Sequence, residues 1–359
     1  MKELTRRDFL KAGVAVTGAA ILGGLESTEA MVPEEPQAAV TQMRYSCFYQ
    51  VDATSIAYYQ DPTYGLPNDA GHIHVFAHSH ATPYADSGLA NTIHAGGPSF
   101  KYAPAFDLGQ HVGWYSASDS QLASWGRAFR DAAIAAGADY FSFNELPTSA
   151  PSDSQVRVQV MTLLYYLNEP DAWGRRLRGI FFMTEASATP GNWTSTASSF
   201  WQRVNDTCDL VVAEHYHAHR FICDNTEAWL SDHFFAMRDW LNNSGEAAKT
   251  YIANNKFTVL HSSRYAPGDN GWHGGDSTVV SLAEFQRNLS KCAKVTRNRA
   301  GGYHRIAFGP ITSSNTSSGS YTDPRVHPRI RLLINWHYNQ GGSSLELACV
   351  QNYQGNCQC

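Results

Sequence analysis

Short apolar or aromatic runs alternate with segments of helical period about eight times along this chain, and few folds accept that rhythm. The runs fall at 43–50, 73–80, 100–108, 140–146, 179–185, 210–216, 258–263 and 305–311. Each is too short for a helix and rich in the β-branched and aromatic residues that pack on a pleated surface. Between them, residues 119–136 begin with Asp and Ser, which can cap a helix, and carry Leu122, Trp125, Phe129 and Ala133 at three-to-four spacing up to Gly137. Residues 154–167, 194–204, 226–241, 282–296 and 326–336 repeat that relation to the run before them. A strand followed by a helix and a parallel strand crosses over right-handedly, so eight such units in succession close on themselves. The expectation is an α/β protein, a (β/α)8 TIM barrel in a single domain. An open doubly wound sheet is the rival, but no Gly-rich GxGxxG turn follows any of the runs.

The N-terminus stands apart from this pattern. Thr5-Arg6-Arg7-Asp8-Phe9-Leu10-Lys11 precedes a stretch of small, weakly apolar residues from 12 to 24. It resembles the twin-arginine export signal: a polar residue, two arginines, one variable residue, then Phe-Leu-Lys. The apolar stretch is too short to span a bilayer, and no second one follows. A translocase partner during export and no membrane attachment after processing are therefore expected. Cleavage is expected after Thr28-Glu29-Ala30, with Ala38 or Ala39 as alternatives. The organisation reads as a signal peptide at 1–30, an extension at 31–42, the barrel at 43–340 and a Cys-containing tail at 341–359 folded back on it.

Charge narrows the partners. The formal net charge is −5, with 16% charged and 12% aromatic residues, and no basic stripe suggests nucleic acid. A neutral ligand such as a sugar, stacked on aromatic rings, suits such a surface, although a large aromatic core would give the same composition. Seven cysteines in an exported chain permit disulfides. Cys208 with Cys223 could clip a loop, and Cys349 with Cys357 or Cys359 could pin the tail, whereas no pair has zinc-finger spacing. Neither a cofactor nor a metal is expected.

Barrel enzymes carry their chemistry at the C-terminal ends of the strands. There the sequence places Asp107, Glu145, Glu185 and Glu214 on runs three to six, and His78, His80, His215, His217, His219 and His261 on runs two, six and seven. The sharpest local pattern is Phe141-Ser142-Phe143-Asn144-Glu145-Leu146-Pro147. It resembles the Asn-Glu-Pro segment of clan A glycoside hydrolases, barrels whose acid/base glutamate ends strand four beside an Asn that binds a sugar hydroxyl. The resemblance implies Glu145 as acid/base and Asn144 as hydroxyl ligand. It covers a few residues plus the barrel pattern, and Leu146 stands where the clan has Pro. Run seven, Thr258-Val259-Leu260-His261-Ser262-Ser263-Arg264, lacks the nucleophilic glutamate the clan places there. A glycosidase needs two carboxyl groups, so Glu214 becomes the first choice for the second and Glu185 the next. Asp107, His78, Tyr216, His261, Arg264 and Trp272 are the remaining expected substrate contacts. Trp114, Tyr115, Trp193 and Tyr265 stand near the same end as possible stacking platforms.

Three rivals share the same residues. His72-Ile73-His74, His78-Ser79-His80 and His215-Tyr216-His217-Ala218-His219 could converge on a metal that activates water. This resembles the metal-dependent amidohydrolases only in part, since run four carries no lysine. If the substrate bore uronic acid, His261 or Tyr216 could remove a proton while Arg264 or Arg220 neutralised the carboxylate, giving a lyase. A non-catalytic sugar-binding barrel is the third.

Overall fold

The computed structural model describes residues 43–63, 65–79, 84–146, 154–184, 188–193, 196–217, 219–264, 281–299, 304–311 and 322–338, apart from the side chains of residues 145, 146, 154, 155, 219 and 220. Eight parallel strands close into a barrel in chain order: β1 (Arg44–Tyr49), β2 (His72–Ser79), β3 (Phe100–Asp107), β4 (Tyr140–Leu146), β5 (Arg178–Met183), β6 (Cys208–His215), β7 (Phe257–Ser262) and β8 (Arg305–Gly309). β8 pairs with β1 through Tyr45 and Arg305, which completes the closure. All eight expected strands are present, with ends displaced by two residues or fewer.

Around them lie α1 (Ala53–Ala57), α2 (Ser87–His94), α3 (Asp119–Ala135), α4 (Ser154–Asn168), α5 (Ser198–Thr207), α6 (His219–Asp224), α7 (Glu227–Asn242), α8 (Ala247–Asn255), α9 (Leu282–Asn298) and α10 (His327–Tyr338). Local chemistry explains where several begin. Ser118 and Gln121 form a reciprocal capping box ahead of α3, and Ser281 with Glu284 does the same for α9. Gly137, at φ 87°, adopts the left-handed conformation that ends α3. The short helices α1, α2, α6 and α8 were not evident from periodicity, because five to nine residues show too little of a 3.6-residue repeat.

The strands are buried on both faces, and two packed layers result. Inside the barrel, Cys47, Val75, Ala103, Ile180, Val212 and Leu260 belong to one cluster. The intervening residues Phe48, Phe76, Phe106, Phe143, Phe181 and Phe308 face the helices. There they form a partial belt of stacked rings, with Phe48 and Phe76 at 4.7 Å, Phe106 and Phe143 at 6.1 Å, and Phe143 and Phe181 at 5.7 Å between centroids. Helix packing on this layer is close. Gly126 of α3 leaves so little room that an added Cβ would lie 2.7 Å from Tyr166 Cβ on α4.

Cys208 is a free, buried thiol, as are Cys47 and Cys292. The expected Cys208–Cys223 clip is therefore not formed: Cys208 opens β6 at the N-terminal end of the barrel, whereas Cys223 lies on α6, beyond the other end of that strand. Cys223 is itself disulfide-bonded. Cys349, Cys357 and Cys359 lie outside the described residues.

Candidate functional site

Strand parity decides which strand-end side chains can meet. On β6, Leu210, Val212 and Tyr216 belong to the interior cluster, and Glu214 shares their parity. Glu214 is 3% exposed, and its charge reaches the Cys47 thiol of β1. That thiol is pushed up, first by burial and then by the Glu214 charge. On β4, Tyr140 is interior and Phe141 and Phe143 are exterior, so Asn144 falls on the interior side, where it is 3% exposed. Asp107 pairs in register with Asn144. Its Oδ1 accepts a 2.8 Å hydrogen bond from the Gly109 amide, which caps the turn after β3. Asn144, Glu214 and Tyr216 thus gather on the interior face at the C-terminal end of the barrel, with Asp107 at its rim.

At Glu145 the register shifts. Phe143 pairs with Phe181, but Leu146 pairs with Met183, so β4 carries one more residue than β5 over the same length. Bulges of this kind re-aim side chains and recur beside active sites. The Glu145 side chain lies outside the described residues, as do Glu185 and Trp272 altogether. Arg264 follows β7 and is partly buried.

Two expected substrate contacts are corrected. His261 follows the interior residue Leu260 on β7 and faces the helices instead. It is 1% exposed, shares a 2.7 Å hydrogen bond with Thr296 of α9, and is lowered to about 3 by burial and then by the charges of His217 and His337. This position also removes it as the base of a lyase. His78 likewise alternates with the interior residues Val75 and Ala77, and its ring is bonded to the Val51 backbone. Burial lowers its pKa, against the opposing charges of Asp52 and Asp86. The physical reason is common to both: in a strand covered on two faces the hydropathy does not alternate, so inward and outward residues look alike in sequence. Trp193 is corrected too, since it is 0% exposed and packs on Trp201 at 4.9 Å.

The histidines of β2 do not converge with those of β6. His74 donates from Nε2 to the Pro67 carbonyl at 2.6 Å, and His72 donates from Nδ1 to Asp69 at 2.8 Å, both at the N-terminal end of the strand. What the sequence did not reveal is a different trio. His215, the last residue of β6, His217 just after it and His233 of α7 each offer a ligand atom within 4.8 Å of the others. They lie on the outer side of the wall, where His215 packs against Phe234 at 5.1 Å. Burial drives His215 well below the ordinary histidine range, and the charges of His217, His233 and His261 add to the effect. His217 was recognisable as a candidate; His233, inside a helix, gave no local signal.

Residues 3–23 match the model of the twin-arginine translocation pathway signal sequence, so the chain carries an export signal for that pathway. Among the described residues no helix is long and apolar enough to cross a membrane. No curated protein matches the sequence. Similar solved structures include a GH18 chitinase from Pseudoalteromonas aurantia, 12% identical over 75% of this chain and 94% of that one, with a TM-score of 0.45. The spore cortex-lytic enzyme SleL of Bacillus megaterium QM B1551 is 10% identical over 83% and 75%, also at 0.45. A D-allulose 3-epimerase from Methylomonas sp., in complex with D-allulose, is 13% identical over 80% and 89%, at 0.38. At such scores these neighbours carry no argument about chemistry, which has to come from the residues.

Proposed function

We propose that the exported chain is a glycoside hydrolase acting on a polysaccharide or oligosaccharide, with Glu145 as acid/base and Glu214 as its partner. The observation that carries this reading is Glu214: a carboxyl group 3% exposed, on the interior side of a closed barrel at the C-terminal end of β6. It shares that interior with Asn144, whose sequence neighbour is Glu145. In hydrolysis one protonated carboxyl delivers its proton to the leaving glycosidic oxygen. The ionised partner attacks the anomeric carbon or draws the proton from an attacking water. Asn144 would hold a ring hydroxyl, Tyr216 and Asp107 would border the sugar, and Arg264 and Trp272 would be further contacts. Glu185 remains the second candidate for the partner carboxylate. The mature chain would begin after residue 30.

The test is a reducing-sugar assay of the mature protein on a polysaccharide panel, run beside Glu145→Gln and Glu214→Gln. Loss of about 10²–10⁴ in kcat in each variant, with folding intact, is the expected outcome. An unsaturated product absorbing in the near ultraviolet, or activity surviving Glu145→Gln, would refute the two-carboxylate assignment.

A further inference from the structure

The three histidines lie on the outer side of the β6 wall, the face opposite Glu214. Nδ1 of His215 and Nε2 of His217 face each other at 3.3 Å. Two imidazole nitrogens bound tetrahedrally to one zinc ion, at about 2.0–2.1 Å each, stand roughly 3.4 Å apart. That pair is already at the separation a shared metal imposes. The remaining separations reach at most 4.8 Å, so His233 closes on the pair with about 1.4 Å of side-chain movement or less.

Packing orients all three rings. His217 is stacked on Phe221 at 3.9 Å with 16° between planes, and His233 is stacked on Trp229 at 4.9 Å and 14°. The His215 ring is hydrogen-bonded to the Phe234 backbone, the outer contact that fixes the tautomer of a ligand imidazole. Beside His215 and His217 lies a cavity of about 20 Å³ bordered by Ser262, Asn288 and Cys292, enough for one water.

We infer that His215, His217 and His233 form a binding site for one divalent transition-metal ion of the zinc class. Three imidazoles without a carboxylate select zinc, copper or nickel over magnesium or calcium, whose sites are built from oxygen. The ligands join the end of β6 to α7, so the ion acts as a clip between barrel wall and helix layer, on the opposite face of the strand from Glu214. The inference does not depend on the glycosidase reading.

The test uses the full mature chain, freed of metal with a chelator and dialysed. Zn²⁺ titrated by calorimetry, metal content by mass spectrometry, and the visible spectrum of the Co²⁺ form are measured for the parent, His217→Asn, His233→Asn and the surface control His94→Asn. The expected result is one ion per chain, an intense tetrahedral-type Co²⁺ spectrum, and a rise in thermal midpoint with Zn²⁺. All three should persist in His94→Asn and be lost or weakened at least tenfold in His217→Asn and His233→Asn. His233 is only partly buried on α7, so its variant decides the question even if His217→Asn does not fold. No stoichiometric binding by the parent, or binding unchanged in His233→Asn, overturns the site.

Discussion

Acid should weaken this fold through two histidines that belong to neither proposed site. His74 of β2 and His327 at the start of α10 are each 0% exposed, and each is lowered to about 4. Burial is the chief cause for both. For His74 the charge of His72 adds to it, against the Pro67 hydrogen bond and Asp69; for His327 the charges of Asp52 and Asp323 oppose it. His327 Nδ1 shares a 3.0 Å hydrogen bond with the Tyr59 hydroxyl, and its ring is stacked on Tyr58 at 4.7 Å. A histidine whose folded pKa lies below its unfolded value takes up its proton more readily when unfolded. Its contribution is therefore complete above about pH 6.5 and is lost as the pH falls towards about 4. At about pH 5 the unfolded chain has gained roughly 1.5 units of protonation free energy that the folded chain has not, or about 2 kcal/mol for each group. Together they remove about 4 kcal/mol, a large share of the 5–15 kcal/mol typical of a domain. Urea unfolding followed by tryptophan fluorescence at about pH 7.5 and pH 5 measures the loss. His74→Gln keeps a donor towards Pro67, and His327→Asn keeps a hydrogen-bonding partner for Tyr59, without titrating. The double variant should recover about 4 kcal/mol of the difference between the two pH values. If its acid loss equals that of the parent, the reasoning from burial is wrong.

Other perturbations follow from particular contacts. Lys291 of α9, 5% exposed, donates to the carbonyls of Ile222 at 2.7 Å and Asn225 at 2.5 Å, and Lys291→Met should cost about 3 kcal/mol in urea unfolding by leaving those carbonyls unpaired. Gly126→Ala would ordinarily favour a helix by about 1 kcal/mol, yet here it should lower the thermal midpoint, because the new methyl meets Tyr166 and overpacking costs about 1–3 kcal/mol. The carboxamide variants at Glu145 and Glu214 separate hydrolysis from elimination, and the histidine variants separate a bound metal from a purely packed aromatic cluster.

The barrel could be read from the chain because its signals are local. Runs such as 140–146 and 258–263 end within a residue of β4 and β7, and Ser118, Thr226 and Ser281 cap helices where their side chains reach the next amides. The twin-arginine motif is likewise contiguous, and a match over residues 3–23 is enough to recognise it. Glu214 was picked out by its place at a strand end and Asn144 by the resemblance of the Asn-Glu segment, and both are buried on the interior side of their strands.

Tertiary structure alone decided which strand-end residues share a face. His261 and Glu214 sit on neighbouring strands, one residue out of phase with each other, since Glu214 pairs with Leu260 and His215 with His261. That single step sends Glu214 into the barrel and His261 towards Thr296. It also carries His215 to the side where His233 waits, 18 residues further along the chain on another element. A pattern of residue types cannot express such a meeting, because the register between strands and the docking of a helix on them are set by packing across the whole molecule.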